Sequence, residues 1–141
     1  MVDVHPQHRF SVLLSQGQDA GAQAWQDTVR RLLEPHGVTT LAVRSGREAL
    51  DLIQQRQIHV AVLDQQMPQL GGLQVIKIMR DLPAAPPSIL LAQHLTDHLL
   101  HEALGMQVFS VLSKPVDLNM LLDTLARVLR RHYKSKWPTD S

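Results

Sequence analysis

The sequence predicts an α/β domain, a parallel sheet with helices packed on both of its faces. Two observations predict it. Short apolar runs of β type alternate with stretches of helical periodicity, five times over along the 141 residues. Those runs are also apolar along nearly their whole length rather than at every second position, as strands are when a sheet is covered on both sides. Right-handed crossovers then place helices on either side. Five such units make a flavodoxin-like, doubly wound sheet in the strand order 2-1-3-4-5 with five helices, in which ligand chemistry sits at the carboxyl ends of the strands.

Each element has its own signal. Phe10 to Leu14 (FSVLL) is the first strand, and Ala22, Trp25, Val29, Leu32 and Leu33 then recur on one helical stripe. Gly37 is the expected stop, since glycine takes the left-handed conformation at little steric cost. Val38 to Val43 (VTTLAV) is the second strand, and Ser45 with Glu48 reads as a capping box opening a helix through Leu50 and Ile53. Ile58 to Leu63 (IHVAVL) is the third strand. The helix after Gly71 and Gly72, with Val75, Ile76 and Met79 on its stripe, is expected to run to about Leu82, because Pro83, Pro86 and Pro87 cannot continue it. Ser88 to Ala92 (SILLA) is the fourth strand, Leu95 to Leu104 a short helix, and Val108 to Leu112 (VFSVL) the fifth strand. Asp117 is a good N-cap for a last helix carrying Leu118, Leu121, Leu122, Leu125, Val128 and Leu129 on one face. The expected organisation is a mobile N-terminus over 1–8, one domain over 9–133 and a tail over 134–141.

Composition narrows the function. The chain is 44% hydrophobic and 19% charged, as ordinary globular domains are. Aromatic residues make up only 4%, so the core must be built from Leu, Val, Ile and Ala. No apolar run is long enough for a membrane span, and Met1 to Arg9 has no signal-peptide character. With no cysteine there are no disulfides, thiolate metal sites or cysteine nucleophiles, which fits the cytoplasm, the expected location. A net charge of +1 gives no global attraction for nucleic acid or anionic lipid.

The strand ends carry the chemistry. The third strand runs into Asp64, Gln65, Gln66, Met67, Pro68 and then Gly71-Gly72; the fifth runs into Ser113, Lys114 and Pro115. Asp-x-x-Met-Pro-x-x-x-Gly after one strand and Lys-Pro after another form a strong joint signal, where either alone is weak. On these residues the chain resembles the receiver domain of bacterial two-component response regulators, over roughly residues 9 to 131 with all five units in order. The resemblance implies that Asp64 accepts a phosphoryl group from a histidine kinase or phosphotransfer protein. It implies that Lys114 contacts the phosphoryl oxygens, and that the main-chain carbonyl of Gln66 is a magnesium ligand. The physics agrees: a carboxylate attacks phosphorus only where charge is neutralised and the groups are positioned.

The sequence also departs from that pattern. Where the family places two adjacent acids after the first strand, Ser15, Gln16, Gly17 and Gln18 stand instead, in a longer connection. The nearest carboxylate is Asp19, which could swing inward to compensate in part but reads more readily as a solvated loop or helix-start aspartate. Magnesium prefers carboxylate oxygens, and with Asp64 as the only certain carboxylate ligand, weak binding at best is expected. After the fourth strand the family's hydroxyl position is Ala92, followed by Gln93, and its aromatic position in the fifth strand is Val111, with Phe109 expected on the same strand face. The resemblance therefore supports two functions. One is a divergent receiver phosphorylated on Asp64, a switch rather than an enzyme acting on a substrate. The other is a pseudo-receiver acting by protein-protein interaction alone, as a homodimer or with a partner, through the face of the fourth helix, fifth strand and fifth helix. A small-ligand binder on the same fold is the third reading; Gly17 and Gly21 do not form the dinucleotide fingerprint, and no Ser-His-Asp order appears.

Other features have bland readings. His94, His98 and His101 fall at i, i+4 and i+7, a spacing able to ligate zinc, but also that of an exposed polar helix face. Arg127, Arg130, Arg131, Lys134 and Lys136 could touch nucleic acid, yet cations near a helix C-terminus are stabilising by themselves. His5, His8 and Trp137 need no role.

Overall fold

The computed structural model describes residues 10–15 and 21–134, and within them the alternation becomes β1 (Phe10–Ser15), α1 (Ala22–Leu33), β2 (Val38–Val43), α2 (Gly46–Gln55), β3 (Val60–Asp64), α3 (Gly72–Met79), β4 (Ser88–Ala92), α4 (Asp97–Gly105), β5 (Ser110–Ser113) and α5 (Leu118–Tyr133). The five strands are all parallel and lie in the order β2-β1-β3-β4-β5, as the doubly wound pattern requires. His5, His8, Gly17, Asp19, Lys136 and Trp137 lie outside the described residues, as do the 1–8 segment and most of the 134–141 tail.

Every residue of β3 and β4 is buried, because the sheet separates two cores. On one face Val12, Leu14, Val62 and Ile89 pack with Val29 and Leu33 of α1 and Leu121, Leu125, Val128 and Leu129 of α5. On the other Leu13, Ala61, Leu63 and Leu90 pack with Leu50, Val75, Ile76 and Ala103 of α2 to α4. Successive strand residues enter opposite cores, which is why the strand sequences show no polar alternation.

Local signals place most ends. Ser45 accepts the N–H of Glu48, and Asp117 that of Met120, each satisfying a free donor of the first helical turn. The Glu48 carboxylate reaches the N–H of Arg44 rather than that of Ser45, so the expected capping box is closed one residue early. Gly37 is left-handed at φ 80°, after a short 3-10 turn (Glu34–His36) that prolongs α1. α3 ends at Met79, short of Leu82, and β3 begins only at Val60.

Two expectations fail in an instructive way. Leu32 is exposed, whereas Gln26 is buried on the inner face of α1, its Nε2 donating to the carbonyl of Leu14 at 3.2 Å. A paired polar group thus displaces an apolar one from the predicted stripe. Phe109 and Val111 do not share a face: Val111 packs in the α2–α4 core and Phe109 in the α1–α5 core. β5 begins at Ser110, so the period of two does not extend back to residue 109.

Candidate functional site at the carboxyl rim

β1 pairs with β3 through Val12–Val60, Leu13–Ala61 and Leu14–Val62, a register that carries Ser15 to the end of β3. There Asp64 closes the strand, only 2% exposed. A buried polar group needs partners, and Asp64 has them on every side. Its N–H donates to Ser15 Oγ at 2.7 Å. The N–H of Gln66 donates to its Oδ1 at 2.8 Å, turning the chain sharply after the strand. Lys114 Nζ lies 2.6 Å from its Oδ2, with the two side chains 13% and 3% exposed.

The lysine arrives from β5. Its N–H donates to the carbonyl of Ala92 at the end of β4, and the Lys114–Pro115 peptide is cis. The predicted pair Asp64 and Lys114 is thus brought into direct contact from positions fifty residues apart. The β3–α3 connection is tied down as well. Gln65 Oε1 accepts the N–H of Leu73 at 3.0 Å, serving as the side-chain cap that Gly71 cannot provide. Gly72 sits so close that a Cβ there would meet Leu90 Cδ1 at 2.6 Å and the Asp64 carbonyl oxygen at 3.0 Å.

A cleft of about 500 Å³ opens over this pair, lined by Ser15, Trp25, Asp64, Gln93, Lys114 and Val116 among others. The sequence placed Ser15 only as a residue standing where the family has acids, and gave neither it nor Trp25 a role in the site. A polar residue ending an otherwise apolar strand was the available signal for Ser15; Trp25 read only as a core residue. Ala92 is buried without a side-chain donor, and Gln93, exposed, borders the cleft. Val111 belongs to the core, away from the cleft lining. Gln66 is exposed, and its N–H is committed to Asp64. Asp19 lies outside the described residues.

Residues 22–126 match the response regulator receiver domain family. The chain belongs to that family. It is 32% identical over 111 residues to the response regulator MprA of Mycolicibacterium vanbaalenii, covering 77% of this chain and 47% of that protein. It is 31% identical to the regulatory protein AtoC of Escherichia coli, over 74% of this chain and 24% of that one. The chain thus spans about half the length or less of these curated relatives. The receiver domain of the Francisella response regulator 1452 superposes with a TM-score of 0.76 at 25% identity, over 87% of this chain and 98% of that one. A CheY-like receiver from Methanospirillum hungatei shares the fold, with a TM-score of 0.78 at 18% identity, covering 89% and 97% of the two chains. As a receiver domain the chain is a signalling module of two-component type.

The donors for a divalent cation are sparse in this receiver. Magnesium takes near-octahedral oxygen ligation, usually with one or two carboxylates. Among the described residues Asp64 is the carboxylate of the cleft lining, and its oxygens already accept from Lys114 and Gln66; where an acid would complete the set stands the hydroxyl of Ser15. Among the described residues no group of three or more His, Cys, Asp or Glu side chains is placed to hold a metal. The described residues do not fit a magnesium cage.

The remaining expectations fall outside this rim. His98 and His101 are exposed on α4, but His94 precedes the helix and its Thr96 cap, so the three do not share one helical face. Arg127 pairs with Asp123 at 3.3 Å, and Arg131 stacks over the Phe109 ring at 5.5 Å. Among the described residues no helix is long and apolar enough to cross a membrane.

Proposed function

We propose that this receiver is a module of a two-component phosphorelay in which Asp64 accepts a phosphoryl group in a pocket stripped of its usual acids. The observation that carries this reading is the buried Asp64 carboxylate with the Lys114 ammonium 2.6 Å away, at the carboxyl rim where a doubly wound sheet presents its chemistry. In the transfer, a carboxylate oxygen of Asp64 bonds to phosphorus as the bond from phosphorus to the leaving group breaks, and the leaving group takes the electron pair. Lys114 holds a positive charge where the new phosphoryl oxygens would gather. The donor is a histidine kinase or phosphotransfer protein. Magnesium would be held weakly at best, by Asp64, the Gln66 carbonyl and Asp19, and no step here depends on it. Exposed Leu95, Leu104 and Met120, on and beside α4 and α5, support a protein partner or second copy on the α4–β5–α5 face.

A second reading has its own observation. With Ala92 in place of a hydroxyl and Ser15 in place of an acid, Asp64 and Lys114 already neutralise one another, and a module of this kind would work by docking alone. Treating the protein with acetyl phosphate and magnesium, followed by intact mass measurement, separates the two. The phosphorelay reading expects an adduct on the wild type that Asp64→Asn removes. No adduct on the wild type, with unchanged amide spectra in beryllofluoride, leaves the docking module.

A further inference from the structure

Ser15 is 1% exposed and accepts the N–H of Asp64 through its Oγ. A hydroxyl can accept and donate at once. Among the described residues no hydrogen bond takes the Ser15 proton, although the side chain lines the cleft above Asp64. Trp25 lines the same cleft, and its indole N–H is buried with no acceptor among the described residues. Buried donors without acceptors are rare because they forfeit hydration without return. Two of them beside a phosphoacceptor and an ammonium make a site short of acceptor oxygens.

We propose that Ser15, with Trp25 beside it, supplies the hydrogen bonds that hold the phosphoryl oxygens on Asp64, in place of the hydroxyl that Ala92 lacks. This rests on the reading of Asp64 as phosphoacceptor and adds a residue from a different strand. The step balances without a further reactant. An Asp64 oxygen bonds to the phosphorus of an acyl phosphate as the bond from phosphorus to the acyl oxygen breaks and the carboxylate leaves with the electron pair. Of the three phosphoryl oxygens added, one then meets Lys114 Nζ and another the Ser15 O–H. The Ser15 oxygen keeps its bond to the Asp64 N–H throughout, so the load of the phosphoryl group passes to the end of β1. In a receiver of this kind, β1 rather than β4 reports the modification.

The test is the rate of formation and the lifetime of the aspartyl phosphate after acetyl phosphate treatment, read by intact mass, with Trp25 fluorescence recorded in a Trp137→Phe background. Ser15→Ala is expected to lower adduct formation or shorten its lifetime about tenfold, the scale of one hydrogen bond to a charged group. Ser15→Thr, which restores the hydroxyl, is expected to behave as wild type, and Trp25→Phe to show a smaller loss. Should Ser15→Ala fail to fold, Ser15→Cys keeps the size with a weaker donor and is expected to show the same loss. An adduct of wild-type rate and lifetime on Ser15→Ala or Ser15→Cys overturns the assignment while leaving Asp64 as acceptor. No adduct on the wild type removes both.

Discussion

The two rims of the sheet solve the same problem in opposite ways. At the carboxyl rim Asp64 and Lys114 meet as charges, and the donors of Ser15 and Trp25 beside them have no acceptor among the described residues. At the amino rim the described contacts around His59 join uncharged groups. His59 Nδ1 accepts the N–H of Ser11 at 2.9 Å, and the Tyr133 hydroxyl donates to the His59 carbonyl at 2.7 Å. Phe10 and Tyr133 lie edge-on to the imidazole, each with ring centroids at 5.1 Å. The amino rim ties the last turn of α5 to β1 and to the start of β3. The difference teaches where this domain stores capacity for change: a satisfied network stabilises, whereas charge and unspent donors wait for a ligand.

The largest stability effect should fall at the carboxyl rim. Lys114→Met leaves a buried carboxylate with the Gln66 N–H alone, and is expected to lower unfolding stability by about 3 kcal/mol in urea titrations. Adding Asp64→Asn should restore most of that loss, because the cost is the uncompensated charge. Loss of equal size in the double variant would break the contrast between the rims. A smaller effect belongs to the amino rim. Tyr133→Phe removes one neutral hydrogen bond and is expected to cost about 1 kcal/mol, without altering adduct formation on Asp64.

The smallest effect is a pH dependence. Burial holds the His59 imidazole below its ordinary 6.5, and the Ser11 N–H aimed at Nδ1 also requires the neutral ring. The groups packed against it are Tyr133, itself raised by burial, and the uncharged Phe10 and Ser11; His132 stacks on Tyr133. A histidine lowered by folding binds its proton more readily when unfolded. The His59 contribution is therefore full above 6.5 and is lost as the pH falls from there through the lowered folded value. His59→Asn, whose side-chain oxygen can still accept from Ser11, should flatten that part of the stability curve in thermal melts from pH 7.5 to 5; an unchanged curve would show that the imidazole is not held neutral by the fold.

Legibility from sequence followed the range of the physics. Ser45 and Asp117 were readable as caps because a cap and its N–H are three residues apart. β3 and β4 were readable from unbroken apolar runs, and Asp64 with Lys114 from their motifs taken together. The burial of Gln26 was not readable, since its partner Leu14 lies on another element. The opposite facing of Phe109 and Val111 depended on where β5 begins pairing with β4.

By itself, the sequence determined the order of strands and helices, their caps and the placing of one acid and one lysine at strand ends. Those properties are carried by neighbours along the chain, through periodicity and local hydrogen bonds. Only the tertiary structure decided that Ser15 stands against Asp64, that Trp25 borders their cleft, and that His59 meets Ser11 and Tyr133 at the far rim. Parallel pairing joins residues some fifty positions apart, as Ser15 and Asp64 are, and the register that joins them belongs to the assembled sheet rather than to any one segment.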